Sequence, residues 1–205
     1  MKIAIIGTGH VGGALGTGWA RAGHEIIFGA RDPQSPEVKQ LLKSASKTKS
    51  AFPSDAAAAA EIVTLAVPWK AVSEVLKEIE PNLTGKTLID CTNPAKEWLG
   101  MDHSGGEQVA KLARGAKVVK SFNTTGFENM QNPKLGNDAA TMFYAGDDKN
   151  AKKLVHRLAS ELGFDPVDVG PLSQSHALEI MASLWGALAY GQQMGRGIAF
   201  RLLRR

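Results

Sequence analysis

The chain has 205 residues, enough for one well-buried core and short for two, so a single domain spanning 1–205 is expected. A composition that is 43% hydrophobic and 21% charged excludes disordered and fibrous classes. A net charge of +4, carried by scattered Lys and Arg residues, leaves no nucleic-acid footprint but suits a phosphorylated small molecule. Cys91 is the only cysteine, which rules out an intrachain disulfide and a multi-cysteine metal site. Met1 and Lys2 lead straight into an apolar strand without a signal-peptide pattern, and the late apolar stretch from Ile180 to Tyr190 falls short of the roughly 20 residues a bilayer span needs. A cytoplasmic protein with no membrane partner is the expectation.

In chain order, Lys2 to Ile6 reads as a strand, Gly7 as a tight turn, and Val11, Leu15 and Ala22 as one face of a helix that ends at Gly23. His24 to Phe28 is a second buried strand, followed by the loop Gly29, Ala30, Arg31 and Asp32, which closes a βαβ unit within about 30 residues. Ser35 caps a helix opened by Pro36 and Glu37, and a loop and short edge strand follow. An alanine-rich helix after Ser54 and Asp55 leads to a strand from Ile62 to Val67, stopped by Pro68. A helix from about Lys70 to Ile79 precedes the strand Lys86 to Asp90, which ends in Cys91, Thr92, Asn93 and Pro94. Trp98 to Gly106 reads as a glycine-containing loop, Glu107 to Arg114 as a short helix and Lys117 to Lys120 as a strand. Ala140 to Ala145, a helix around Lys149 to Glu161, and Val167 to Val169 complete the alternation. From Ser173 onward, Ala177, Met181, Leu184, Trp185 and Leu188 fall at helical spacing, so 173–205 is expected to be a helical extension, with Gly186, Gly191, Gly195 and Gly197 marking close packing or a break. Strand and helix alternate almost throughout, which implies an α/β fold: a Rossmann-type, doubly wound, mostly parallel sheet with helices on both faces.

Gly7, Thr8, Gly9, His10, Val11 and Gly12 spell G-x-G-x-x-G between the first strand and the first helix. Gly7 permits the turn, Gly9 lets a pyrophosphate approach the backbone, and Gly12 lets helix and strand close together, while free amides at the helix start attract phosphate. A carboxylate after the second strand would bind a ribose 2′-hydroxyl and repel a 2′-phosphate. Here the first charged group is Arg31, after Ala30, and a guanidinium favours NADP(H), although Asp32 could pair with it instead. Val67, Pro68 and Trp69 stand at the carboxyl edge of the sheet, as do Thr92, Asn93 and Pro94 and then Phe122, Asn123 and Thr124. Trp69 can wall the cofactor or simply pack beneath a loop. The two asparagines can bond a carboxamide or a flavin-like ring, or cap turns. His10 lies in the phosphate loop; His24, His103, His156 and His176 lack metal-ligand spacing, so no metal is expected. No nucleophile elbow and no carboxylate pair argue for hydrolysis.

Together GTGHVG (7–12), FGARD (28–32), AVPW (66–69), IDCTNP (89–94), KSFNT (120–124) and YAGDD (144–148) resemble the NADPH-dependent coenzyme F420 reductase family, the F420-dependent NADP oxidoreductases. The resemblance implies NADP(H) along the Gly7 loop, Arg31 and the Pro68 loop. It also implies a deazaflavin, coenzyme F420, facing the nicotinamide over a pocket of Thr124, Leu184 and Trp185 closed by the C-terminal residues. Archaeal members carry serine where this chain has Ala30, which removes one possible phosphate hydrogen bond. Hydride transfer between stacked rings needs positioning more than a protein acid, so no catalytic residue is assigned. The cytosolic domains of transmembrane metalloreductases, similar in sequence, pass electrons to ordinary flavin, which makes FMN or FAD the other candidate partner. Two alternatives stand beside this reading: an NADP-dependent reductase of a small carbonyl or imine, whose pocket a homodimer could complete, and a noncatalytic NADP(H)-sensing module. A homodimer is the expected assembly. Arg196, Arg201, Arg204 and Arg205 could attract an acidic deazaflavin tail, or form a solvated face.

Overall fold

The computed structural model describes residues 1–94 and 104–205; Trp98, His103 and most of the expected 98–106 loop lie outside the described residues. The first part of the chain lays down strands β1 (Lys2–Ile6), β2 (Glu25–Gly29), β3 (Thr48–Ala51), β4 (Ile62–Leu65), β5 (Thr87–Asp90) and β6 (Lys117–Lys120). Between them run helices α1 (His10–Arg21), α2 (Pro36–Ser44), α3 (Pro53–Ala59), α4 (Val72–Ile79) and α5 (Gly105–Leu112). Then come α6 (Phe127–Gln131), a small hairpin of β7 (Lys134–Leu135) and β8 (Asp138–Ala139), β9 (Thr141–Gly146), α7 (Lys149–Glu161), β10 (Asp165–Asp168) and α8 (Ser175–Gly186).

The main sheet has eight strands in the order β10-β9-β6-β5-β4-β1-β2-β3. The six strands from β1 to β6 pair in parallel, β9 runs antiparallel to β6, and β10 is parallel to β9. The doubly wound fold read from the alternation is thus present, with the strand order of a dinucleotide-binding domain and its switch in the order of strand addition between the parallel β1 and β4. β4 and β5 are buried at every position, and β1 at all but its first, because both faces are covered. On one face Ile3, Ile5, Ile26, Phe28, Ile89 and Val119 meet Leu15 and Trp19 of α1 and Val155 and Leu158 of α7. The alternate residues Ala4, Ile6, Ile27, Val63, Leu65 and Leu88 meet α3, α4 and α5 on the other. Trp19, fully buried, donates its indole N–H to the Leu158 carbonyl at 3.0 Å and so locks α1 to α7.

The local departures from expectation have local causes. α5 starts at Gly105 rather than Glu107, so Gly105 and Gly106 are helix and not loop. Ser104 accepts a bond from the Glu107 amide while the Glu107 carboxylate accepts from the Ser104 amide, a reciprocal cap that overrides the low helix propensity of the glycine pair. β4 ends at Leu65, two residues short of Val67, and the C-terminal extension is helical from a 3-10 turn at Leu172–Gln174 through α8 to the wide turn Ala187–Gly191 and no further. Residues 192–205 form neither helix nor strand, and Gln193 and Gly195 take positive φ of 55° and 77°. Gly191, Gly195 and Gly197 each cost a helix about 1 kcal/mol relative to alanine, and this stretch has tertiary hydrogen bonds to take instead. Thr141 donates its amide to the Phe200 carbonyl at 2.9 Å, and the Ile198 carbonyl accepts from Trp185 Nε1 and Asn129 Nδ2, both at 2.8 Å. The tail is a strap laid over α6 and the start of β9.

The tightest point of the fold is the first turn. A Cβ on Gly12 would stand 2.0 Å from the Gly7 carbonyl oxygen and 3.1 Å from Ile5 Cγ2. Neither group can retreat, because one is backbone and the other is core. Gly12→Ala should therefore destabilise the protein by about 1–3 kcal/mol, as overpacking does, read as a lower midpoint in urea with an unchanged slope.

Candidate functional site

β1 ends in the crevice between β2 and β4, and the turn beyond it is built by steric exclusion. Gly7 has φ +108°, and a Cβ there would lie 2.4 Å from the Ala66 oxygen and 3.0 Å from Val67 Cγ1, so this turn presses on the end of β4. Its amide is held by the Gly29 carbonyl at 3.1 Å, which ties it to β2 as well. Gly9 differs: a Cβ on it would meet nothing within 4 Å. It is the N-cap of α1, it offers no side-chain cap, and the first turn of the helix holds no acidic residue. The amides at that helix start are left for an anion, and the space beside Gly9 lets one reach them. Thr8 and Val11 are half-buried at this turn, whereas His10 is exposed with its ring stacked on Phe127 of α6 at 4.6 Å and 14°.

At the end of β2 the alternative pairing considered for Arg31 is absent. Asp32 Oδ1 accepts the Gln34 amide at 2.9 Å in a local turn, and Arg31 is exposed with no ion pair among the described residues. Ala30 is buried, its amide on the Ala51 carbonyl at 3.0 Å. Across the crevice Val67 touches the Gly7 turn while Pro68 is exposed and Trp69 half-buried. The Trp69 ring lies against the start of α5: Trp69 Cη2 and Pro94 Cδ each stand 3.1 Å from where a Gly105 Cβ would be. Trp69 and Pro94 are thus brought together as a wall around the α5 N-terminus.

Asn93 and Asn123 form a pair at the ends of β5 and β6. Asn93 Nδ2 donates to the Asn123 carbonyl and Asn123 Nδ2 to Asn93 Oδ1, both at 3.0 Å. A further bond runs from Asn123 Nδ2 to the Leu178 carbonyl of α8 at 3.2 Å, yet Asn123 Oδ1 is buried with no partner among the described residues. A buried carbonyl of this kind lacks about 1–3 kcal/mol of solvation until a donor arrives. Thr124 is buried nearby, and Trp185 packs its ring 3.0 Å from the position of a Gly126 Cβ. Leu184 is 49% exposed and, one residue away on α8, projects from a different face than Trp185. Three of the four terminal arginines are engaged within the chain: Arg196 with Glu128, Arg201 with Asp138 and Arg204 with Asp165. A groove of about 690 Å³ touches the phosphate turn at Thr8, Gly9 and His10 and then descends between α1 and α2 towards Arg21, so it is not the cleft these strand ends define.

Beneath the asparagines lies a group the sequence did not disclose. Lys120, wholly buried, places Nζ 3.0 Å from Asp90 Oδ2, 3.1 Å from Glu179 Oε1 and 2.5 Å from the Thr92 carbonyl. Glu179 also accepts the Gly105 and Gly106 amides at 3.0 Å, and Asp90 Oδ1 accepts the amide and hydroxyl of Thr92. Burial alone would lower the Lys120 pKa, but the Asp90 and Glu179 carboxylates hold it above the ordinary lysine value. Cys91 lies beside this cluster with its thiol pushed well up, first by burial and then by Asp90, which makes it inert. A charged residue ending each of two buried strands, and Glu179 as the lone charge in a neutral stretch, were the available signals. Among the described residues no three His, Cys, Asp or Glu side chains gather as a metal set, and no helix is long and apolar enough to cross a membrane.

Strand order, glycine turn and crevice together define a dinucleotide-binding domain of Rossmann type, and its residues fit NADP(H): open space at Gly9, a helix start without a side-chain cap and, among the described residues, an Arg31 without an ion pair and an Asn123 oxygen without a donor. Comparison with known proteins agrees. Residues 2–94 match the family described as NADP oxidoreductase, coenzyme F420-dependent. The chain is 30% identical over 203 residues to the F420-dependent NADP reductase of Methanothermobacter marburgensis, covering 90% of each. It is 31% identical over 180 residues to metalloreductase STEAP3 of Rattus norvegicus, using 87% of this chain but spanning only 36% of that one. A crystal structure from Arthrobacter sp. FB24, provisionally named an F420-dependent NADP reductase, superposes with a TM-score of 0.89 at 32% identity over 100% of both chains. The chain belongs to the F420-dependent NADP oxidoreductase family.

The contrast between Gly9 and Gly12 is testable. Gly9→Ala should cost at most about 1 kcal/mol of stability yet weaken NADPH binding by roughly tenfold or more, measured by denaturation and calorimetry on the same samples. Arg31→Ala should lower NADPH affinity by roughly 1.5–3 kcal/mol and leave NADH almost unchanged; equal losses would remove Arg31 from the 2′-phosphate site.

Proposed function

We propose that this protein transfers a hydride between NADP(H) and the deazaflavin coenzyme F420. The observation that carries the reading is the phosphate turn: a Gly7 that only glycine can occupy, an open Gly9 and, one strand away, an exposed Arg31 with no ion pair among the described residues. In this reading Gly7, Thr8, Gly9, His10, Val11 and Gly12 hold the pyrophosphate. Arg31 takes the 2′-phosphate, with Ala30 lining the site beside it. Val67, Pro68, Trp69, Asn93, Pro94 and Asn123 border the nicotinamide, and Thr124, Leu184 and Trp185 border the second ring. Within 173–205 it is α8, bonded to Asn123 through its Leu178 carbonyl, that would close this second pocket, while the tail braces it from behind.

Bound NADP(H) supplies the carbon that gives or takes the hydride. The chain's part is to hold two flat rings at reacting distance and keep water out. A flat redox partner is favoured over a small carbonyl or imine because reducing those also needs a proton donor. Asp90, Lys120 and Glu179, the ionisable groups beneath the strand ends, are buried and bonded to one another. The archaeal relatives named as F420-dependent NADP reductases support the choice of deazaflavin.

The test mixes purified protein with NADPH and F420, FMN or FAD in turn and follows absorbance at the nicotinamide band. Turnover with F420 is expected. Turnover only with FMN or FAD would replace the second partner, and NADPH binding without turnover on any of the three would transfer the case to a small carbonyl or imine substrate or to a sensing role.

A further inference from the structure

The orphaned oxygen of Asn123 is aimed by a closed ring of bonds. The ring runs from Lys120 Nζ to the Thr92 carbonyl at 2.5 Å, through the next residue, Asn93, to the Asn123 carbonyl at 3.0 Å, and from Asn123 Nδ2 to the Leu178 carbonyl at 3.2 Å. It then passes to the following residue, Glu179, whose Oε1 returns to Lys120 Nζ at 3.1 Å. Asn123 Nδ2 spends both its hydrogens on carbonyl-type acceptors, Asn93 Oδ1 and the Leu178 oxygen, which fixes the orientation of the carboxamide. Oδ1 must then face the other way, and it does so with no partner among the described residues although Asn123 is only 5% exposed.

Such an atom calls for an N–H donor, and a neutral amide on a flat ring is the donor that an uncharged acceptor at this rim accommodates. We propose that Lys120 is a positioning residue: by clamping Thr92 and Glu179 it holds the Asn123 oxygen towards the carboxamide N–H of the nicotinamide. It thereby sets the reacting end of the cofactor without touching it. This rests on the assignment of NADP(H) to the crevice. A plain folding role for the cluster would affect every ligand alike. A positioning role is confined to the nicotinamide end, because Arg31 and the Gly9 turn belong to other strands and other bonds.

The experiment compares NADPH with 2′,5′-ADP, which carries the adenosine and 2′-phosphate but no nicotinamide. Lys120→Met strands two buried carboxylates and can fail to fold, so Glu179→Gln is the second variant; it keeps the Lys120–Asp90 pair and the side-chain shape. In the folded variant, calorimetry should give a 2′,5′-ADP Kd within about twofold of wild type and an NADPH Kd raised at least about fivefold, with kcat for hydride transfer lowered roughly tenfold or more. Asn123→Leu should show the same split. Parallel weakening of both nucleotides, or an NADPH Kd and kcat that do not move, overturns the positioning role while leaving NADP(H) binding intact. A wild-type chain that binds neither nucleotide overturns the functional reading and this role with it.

Discussion

An ammonium group with no access to water must keep its charge by other means, and in this protein the means reach across the molecule. Lys120 ends β6, Asp90 ends β5, Glu179 belongs to α8, and the amides of Gly105 and Gly106 open α5. One positive and two negative groups leave an excess of negative charge, and the first turn of α5, the positive end of a helix dipole, offsets it. Breaking such a cluster by removing one member typically costs about 3–5 kcal/mol, because the survivors are left charged in a medium that cannot solvate them. The C-terminal helix is therefore joined to the Rossmann sheet by electrostatics as well as by its buried Leu178 and Trp185, while its exposed Ile180 and Leu184 are not what attaches it.

The rim above the sheet divides into two parts with different physics. At the β1–α1 turn the backbone acts, and side chains matter mainly by being missing: at Gly7 and Gly12 a methyl group would strike carbonyl oxygens. At the β5 and β6 ends the side chains act, with Asn93 and Asn123 interlocked and tied to α8. A dinucleotide fits such a division, since its pyrophosphate is recognised by amides and its rings by shape and a few directional bonds.

The first part of the site was legible from residues alone because its determinants are local. GTGHVG lies between a strand and a helix, and Arg31 follows the second strand directly, so spacing suffices. The Lys120 cluster was not legible for the opposite reason. Asp90 lies 30 residues away and Glu179 far beyond it, and they meet only once the sheet order is known. The glycine pair at Gly105 and Gly106 suggested loop because propensity was weighed without the Ser104–Glu107 cap. The tail suggested helix because its apolar spacing runs past glycines into residues whose hydrogen bonds go to Thr141 and Ala139. The antiparallel direction of β9 cannot be read from its composition, since a strand buried on both faces looks the same either way up.

The strap formed by the last residues is held very differently from α8. Arg201 meets Asp138 at 3.1 Å and Arg204 meets Asp165 at 4.0 Å, with all four side chains more than a third exposed. Mobile ions reach such pairs, and at 1 M ionic strength the Debye length shrinks to about 3 Å, while the sealed Lys120 cluster is screened far less. Ionic strength thus acts selectively on this molecule: it loosens the outer end of the chain and leaves the charged cluster beneath the strand ends as it was.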